Sequence, residues 1–132
     1  MLAILAFAAA LTAPVQTPTF DEAVRCHAYL LVGVTHAQES AEDRESRGQA
    51  ESAARWQATA DEFEEAGVLS QELLSRLAEA RGQSFDQALD QVVALAQPMI
   101  DGLRNGADRE AAWRTFQAAG RGCRASLPGA GR

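Results

Sequence analysis

Two histidines (His27 and His36), two cysteines (Cys26 and Cys123) and Met99 are the side chains of this sequence best suited to metal or redox chemistry. Helical bundles hold haem and metal ions between facing helices with such ligands. Spacing works against the two histidines acting together. Nine steps at about 100° each is about 900°, which sets them on opposite faces of one helix. The haem-attachment pattern Cys-x-x-Cys-His is absent. His27 therefore reads first as a core or interface histidine with its ring satisfied. Its second reading is a haem or metal ligand, with Met99 as a candidate companion. His36 and Glu39, three residues apart, would form half of a surface metal site, and nothing supplies the other half.

Catalytic groupings fare no better. Cys26 and His27 are neighbours, so on a helix their side chains diverge by about 100° and cannot act as nucleophile and base. No serine sits in a nucleophile elbow, and no glycine-rich loop follows a strand. All 12 basic residues are arginine. The lack of lysine excludes a Schiff base, a phosphate-loop lysine and a lysine general base. Asp61, Glu62, Glu64 and Glu65 could hold calcium loosely, but the alternating ligands and turn glycine of a dedicated loop are missing. Trp113 and Phe116, three apart, read as core. No cofactor and no enzymatic activity are expected.

Cysteine pairing is the strongest chemical signal. One cysteine falls in the first predicted helix and the other just after the last. An even count in an exported chain reads as a disulfide joining Cys26 to Cys123.

The elements that position these residues are helices. Thr19 and Glu22 have capping-box spacing, and Asp21 and Glu22 place negative charge in the first turn. Phe20, Val24, His27, Leu31 and Val34 then form one seam, beside a second of Cys26, Leu30, Gly33 and Ala37. The stretch from Cys26 to Val34 carries no charge, which marks it as buried nearly all round. This helix is expected to end near Gln38. From Ala37 to Ala54 no apolar residue is larger than alanine, so that segment is expected in solvent, as a helix extension or a mobile loop around Gly48. Asp43–Arg47 and Glu51–Arg55 have i,i+4 spacing that favours helix there.

Trp56, Ala60 and Phe63 restore an apolar stripe, which Gly67 is expected to stop. Ser70 would cap a third helix to Arg81, with Leu69, Leu73, Leu77 and Ala80 on one face. Ser84 and Gln87 form a second capping box for a helix facing inward through Phe85, Ala88, Leu89, Val92, Leu95, Met99 and Leu103. Pro98 should kink it, and Asn105-Gly106 should end it. Asp108 caps a last helix to Ala119, stopped at Gly120. No alternation of period two appears, nor any internal repeat. The fold class is all-α: a small antiparallel bundle of four to five helices.

At 132 residues the chain has room for one domain and one core. Residues 1–13 (MLAILAFAAALTA) form an apolar run too short to span a bilayer. The run resembles a secretory signal peptide, with Ala8-Ala9-Ala10 as a small-residue cleavage site. It departs from that pattern in having no Lys or Arg before the apolar run. Pro14 would also obstruct cutting after Ala13. Cys26 follows Ala-Val-Arg, so no lipid attachment is implied. Residues 14–18 read as an extended linker, 19–127 as the bundle and 128–132 as a disordered tail. This organisation predicts a periplasmic or secreted protein with no stable membrane span after processing. Abundant alanine and the missing lysine suggest a GC-rich bacterial genome.

Net charge is −6, which argues against nucleic-acid binding, and 6% aromatics are too few for a base-stacking platform. Charge is distributed unevenly. Residues 39–65 hold nine acids against three arginines, and residues 100–132 hold six arginines against three acids. The acidic stretch, with Glu39, Glu42, Asp43, Glu45, Asp61, Glu62, Glu64 and Glu65, is the candidate surface for an unidentified protein partner. The expectation is a binding protein, with a haem or metal carrier as the alternative.

Overall fold

A computed structural model of the protein describes residues 17–123 and Leu127. The expected signal segment 1–13, the first part of the linker and the tail 128–132 lie outside those residues. Thr17 and Pro18 are non-helical. Four helices follow: α1 (Phe20–Ser46), α2 (Ala50–Ala80), α3 (Phe85–Asn105) and α4 (Arg109–Ala119), with no strand among the described residues.

Their starts follow the local chemistry. The Thr19 hydroxyl accepts from the Glu22 N–H at 3.2 Å, and Ser84 accepts from Gln87 at 3.1 Å, each closing a capping box. The Asp108 carboxylate accepts from the Ala111 N–H at 2.9 Å. Each such bond satisfies a donor with no partner inside its own helix. Gly48 and Gly82, with φ of 74° and 72°, take the left-handed turns after α1 and α2, where a Cβ would be strained.

The helices alternate in direction. Arg81, just past α2, lays its guanidinium 4.2 Å from the centre of the Phe20 ring at the start of α1. Arg104 near the end of α3 reaches Glu39 late in α1, and Cys123 after α4 returns to Cys26. The result is an up-down-up-down bundle in which α1 packs most extensively on α2. Phe20, Leu30, Val32, Phe63, Leu74, Val92 and Phe116 belong to one continuous core. Tyr29 stacks on Phe116 at 4.7 Å and meets Phe63 edge-on at 5.6 Å. A methyl group at Gly33 would collide with the Phe63 ring, and one at Gly120 with Tyr29. The aromatic core thus depends on two glycines that let backbone approach ring.

Three expectations change. α1 does not end near Gln38 but runs on to Ser46. The segment 37–54 is a helical hairpin with a tight turn at 47–49, and Ala37 and Ala41 are buried in it. Alanines pack there because small side chains let α1 and α2 approach closely. Second, Gly67 stops nothing: α2 passes through it as one helix of 31 residues, about 46 Å long at about 1.5 Å per residue. Ser70 is accordingly no cap but a buried mid-helix residue, 1% exposed. The inner face of α2 is Ala60, Phe63, Ser70, Leu73, Leu74 and Ala78, while Leu69 is exposed. Third, α3 buries Ala96 in place of Leu95, which is 44% exposed. α3 continues through Pro98, which faces solvent.

Candidate functional site

The histidines and cysteines singled out in the sequence separate into three places, and the acidic residues occupy a fourth. The first is the buried junction of α1, α2 and α3. The His27 Nδ1 and the Ser70 Oγ share a hydrogen bond of 2.9 Å, and Phe85 stands edge-on to the imidazole at 6.4 Å. Burial pushes the His27 pKa below its ordinary 6.5, because desolvation penalises the imidazolium. A serine beside a histidine nitrogen is the beginning of a nucleophile–base pair. Here the hydroxyl is buried in the core, with Ser70 only 1% exposed. The pair instead satisfies two polar groups that would otherwise be costly to bury. Sequence reasoning missed it, since 43 residues separate the partners.

The second place lies further along α1. The His36 ring is 5.5 Å from Trp56 of α2, perpendicular to it, and 5.5 Å from Trp113 of α4. Trp113 continues the stack to Phe116 at 5.2 Å. Glu39, one turn on, accepts from the Arg104 Nε at 2.8 Å, and Arg109 donates to the Arg104 carbonyl at 2.9 Å. Desolvation is the main reason the His36 pKa is lowered; Glu39 raises it and Arg109 lowers it. His36 and Glu39 thus have separate partners, an aromatic one and a cationic one. Across the described residues, no three of His, Cys, Asp and Glu converge in a group able to hold a metal ion. His27 and His36 have no common neighbour in these contacts, as their angular spacing requires.

Third, Cys26 and Cys123 are joined in a disulfide, with Cα atoms 5.0 Å apart and 97 residues between them in sequence. Both are buried at 4% exposure, and Leu127 continues the core beyond them at 6%.

The acidic residues lie on the α1–α2 hairpin. Ala41 is the last buried residue of α1 and Ala60 the first of α2. The tip between them therefore stands clear of the core. Glu42, Asp43 and Glu45 are exposed on it, and Asp61, Glu62, Glu64 and Glu65 are exposed further along α2. Some have partners within the hairpin: Asp43 pairs with Arg47 at 3.2 Å, Gln38 donates to Glu64 at 3.1 Å, and Gln57 donates to Asp61 at 3.0 Å. No helix among the described residues is long and apolar enough to cross a membrane. Compared with known proteins, the chain matches no family model, no curated protein and no solved structure.

Proposed function

We propose that this chain is an exported, disulfide-tied helical bundle that binds a basic protein surface through its α1–α2 hairpin and performs no catalysis. The observation that carries this reading is the clear-standing tip, with Glu42, Asp43 and Glu45 exposed on it. Helices present these charges with little freedom left to lose on binding. A field of one sign on such a surface speeds encounter with a partner of the other sign and makes association salt-dependent. Against catalysis stands the burial of Ser70, which with His27 forms the one pairing of a potential nucleophile and base noted among the described residues. The alternative, a haem or metal carrier, would leave His27 only its second ring nitrogen, Met99 being the other candidate. An absorbance spectrum of the purified native protein tests it: a Soret band lost in His27→Ala would replace the binding reading.

The missing lysines supply a direct test of partner binding. A carbodiimide can join carboxylates of this chain only to amines of another molecule or to its own N-terminus. Cross-linking in a periplasmic extract should yield a defined adduct that disappears at 0.5 M salt, roughly where exposed charges are screened within a few ångströms. The triple variant Glu42→Gln, Asp43→Asn, Glu45→Gln should lose the same adduct. An adduct indifferent to both changes would overturn the reading. Export is supported by the apolar run 1–13 and by the disulfide, since disulfides persist in oxidising compartments. Mass spectrometry of the native protein should find an N-terminus between about residues 9 and 18; an intact Met1 in the cytosolic fraction would contradict export.

A further inference from the structure

At the end of the bundle opposite the acidic tip, a cleft of about 310 Å³ opens between the first turns of α1 and the end of α4. Arg25 and Arg121 line it, with Glu22, Ala118, Ala119 and the disulfide. Neither arginine has an ion pair or a side-chain hydrogen bond within the described residues, whereas Arg47, Arg104 and Arg114 are each paired. Glu22, the one acid in the lining, is already engaged. Its Oε1 accepts from the Thr19 hydroxyl at 3.0 Å and from the Thr19 N–H at 3.4 Å. The negative end of α4 also faces this region. Its last carbonyls are largely satisfied, since Gly120 donates to Phe116 and Arg121 to Ala118. The lining thus carries two arginines against one carboxylate, a local excess of positive charge on a chain of net charge −6.

We propose that this cleft binds a small organic carboxylate with a short apolar body. A guanidinium presents a planar fork of donors that matches a carboxylate bidentately. Ala118, Ala119 and the disulfide form a wall that an aliphatic body can cover without leaving a polar group unpaired. The volume falls in the range of small-ligand sites. An inorganic oxyanion would gain the charge interaction but not the apolar wall, so the organic carboxylate is preferred.

The test is NMR titration of the disulfide-intact full chain with glutarate at low salt, with glutaramide and inorganic phosphate as comparison probes. Glutarate should saturate and shift amides around Arg25 and Arg121 together with the alanine methyls of 118 and 119. Arg25→Gln and Arg121→Gln should each weaken it about tenfold, the scale of one hydrogen-bonded charge contact. Both arginines are exposed, and thiol counting on each variant verifies that the fold and disulfide are kept. Arg76→Gln on α2 should leave affinity unchanged. Glutaramide should not bind. Absence of saturation, equal affinity for phosphate, or wild-type affinity in both arginine variants would each overturn the proposal.

Discussion

Ser70 occupies a core position that helical periodicity assigns to an apolar side chain, and it can do so because His27 reaches it from α1. The energetic logic is asymmetric: making the bond contributes modestly, whereas leaving one partner buried and unpaired costs about 1–3 kcal/mol. Ser70→Ala should therefore destabilise the protein by about 1–2 kcal/mol in urea unfolding. A cycle with His27→Phe should show coupling, the double variant losing less than the sum of the single variants. Additive losses would mean that the two side chains act independently.

The same ring, with His36, sets a pH dependence. Both pKa values are lowered in the folded protein, mainly by desolvation. The unfolded chain therefore binds protons that the folded chain refuses. Stability should be full above the ordinary value of 6.5 and fall as pH drops below it towards the folded values. Each histidine can add at most about 1.4 kcal/mol per pH unit, reduced here because both rings keep some solvent contact. Unfolding free energies between pH 7.5 and 5 should slope downward, and His36→Gln should flatten part of that slope. A flat profile in the wild type would show that the rings are solvated.

Among the elements, glycine is the residue whose role the sequence conceals most. Gly33 and Gly67 both lie within long helices and cost each helix conformational entropy. A methyl at Gly33 would meet the Phe63 ring, whereas one at Gly67 would meet nothing within 4 Å. Gly33→Ala should destabilise by about 1–3 kcal/mol through overpacking, while Gly67→Ala should stabilise by about 0.5–1 kcal/mol. Thermal unfolding of the two variants checks both signs, and a stabilised Gly33→Ala would mean that α1 and α2 are further apart than described.

Helix starts at Thr19, Ser84 and Asp108 were legible because a capping side chain and its N–H lie three residues apart. The sequence pattern divides α2 where the structure does not, for a connected physical reason. Gly67 resembled a stop, and Ser70 interrupted the apolar stripe and resembled a cap. The hydrogen bond that satisfies this buried serine comes from a partner 43 residues away, and no local pattern encodes that partner. The length of α1 was hidden likewise, since alanines such as Ala37 and Ala41 give weak hydrophobic signals yet bury fully where two helices approach closely. His36 illustrates the same limit: its angular separation from His27 was readable, but not its place between the only two tryptophans.

For the molecule as a whole, the disulfide decides how much of this architecture holds together. α4 is the shortest of the four described helices, about 16 Å at about 1.5 Å per residue, and it meets α1 over a smaller interface than α2 or α3 does. Its two ends are fixed differently: Trp113 packs on His36 at one, and Cys123 is bonded to Cys26 at the other. Closing a loop of nearly 100 residues removes chain entropy from the unfolded state worth about 4–5 kcal/mol in the loop-closure model. That is comparable to the whole stability of a small domain, about 5–15 kcal/mol. Reduction should consequently lower the melting temperature by tens of degrees, at about 4–8 °C per kcal/mol for a chain near this size. Unfolded, unreduced protein should expose no free thiol. α4 should separate first on reduction, because it is short and its interface with α1 is small: Trp113 fluorescence should shift to the red and hydrogen exchange at residues 109–119 should accelerate ahead of residues 24–34. Equal melting with and without reductant, or two free thiols in the native protein, would show that α4 is held by packing alone.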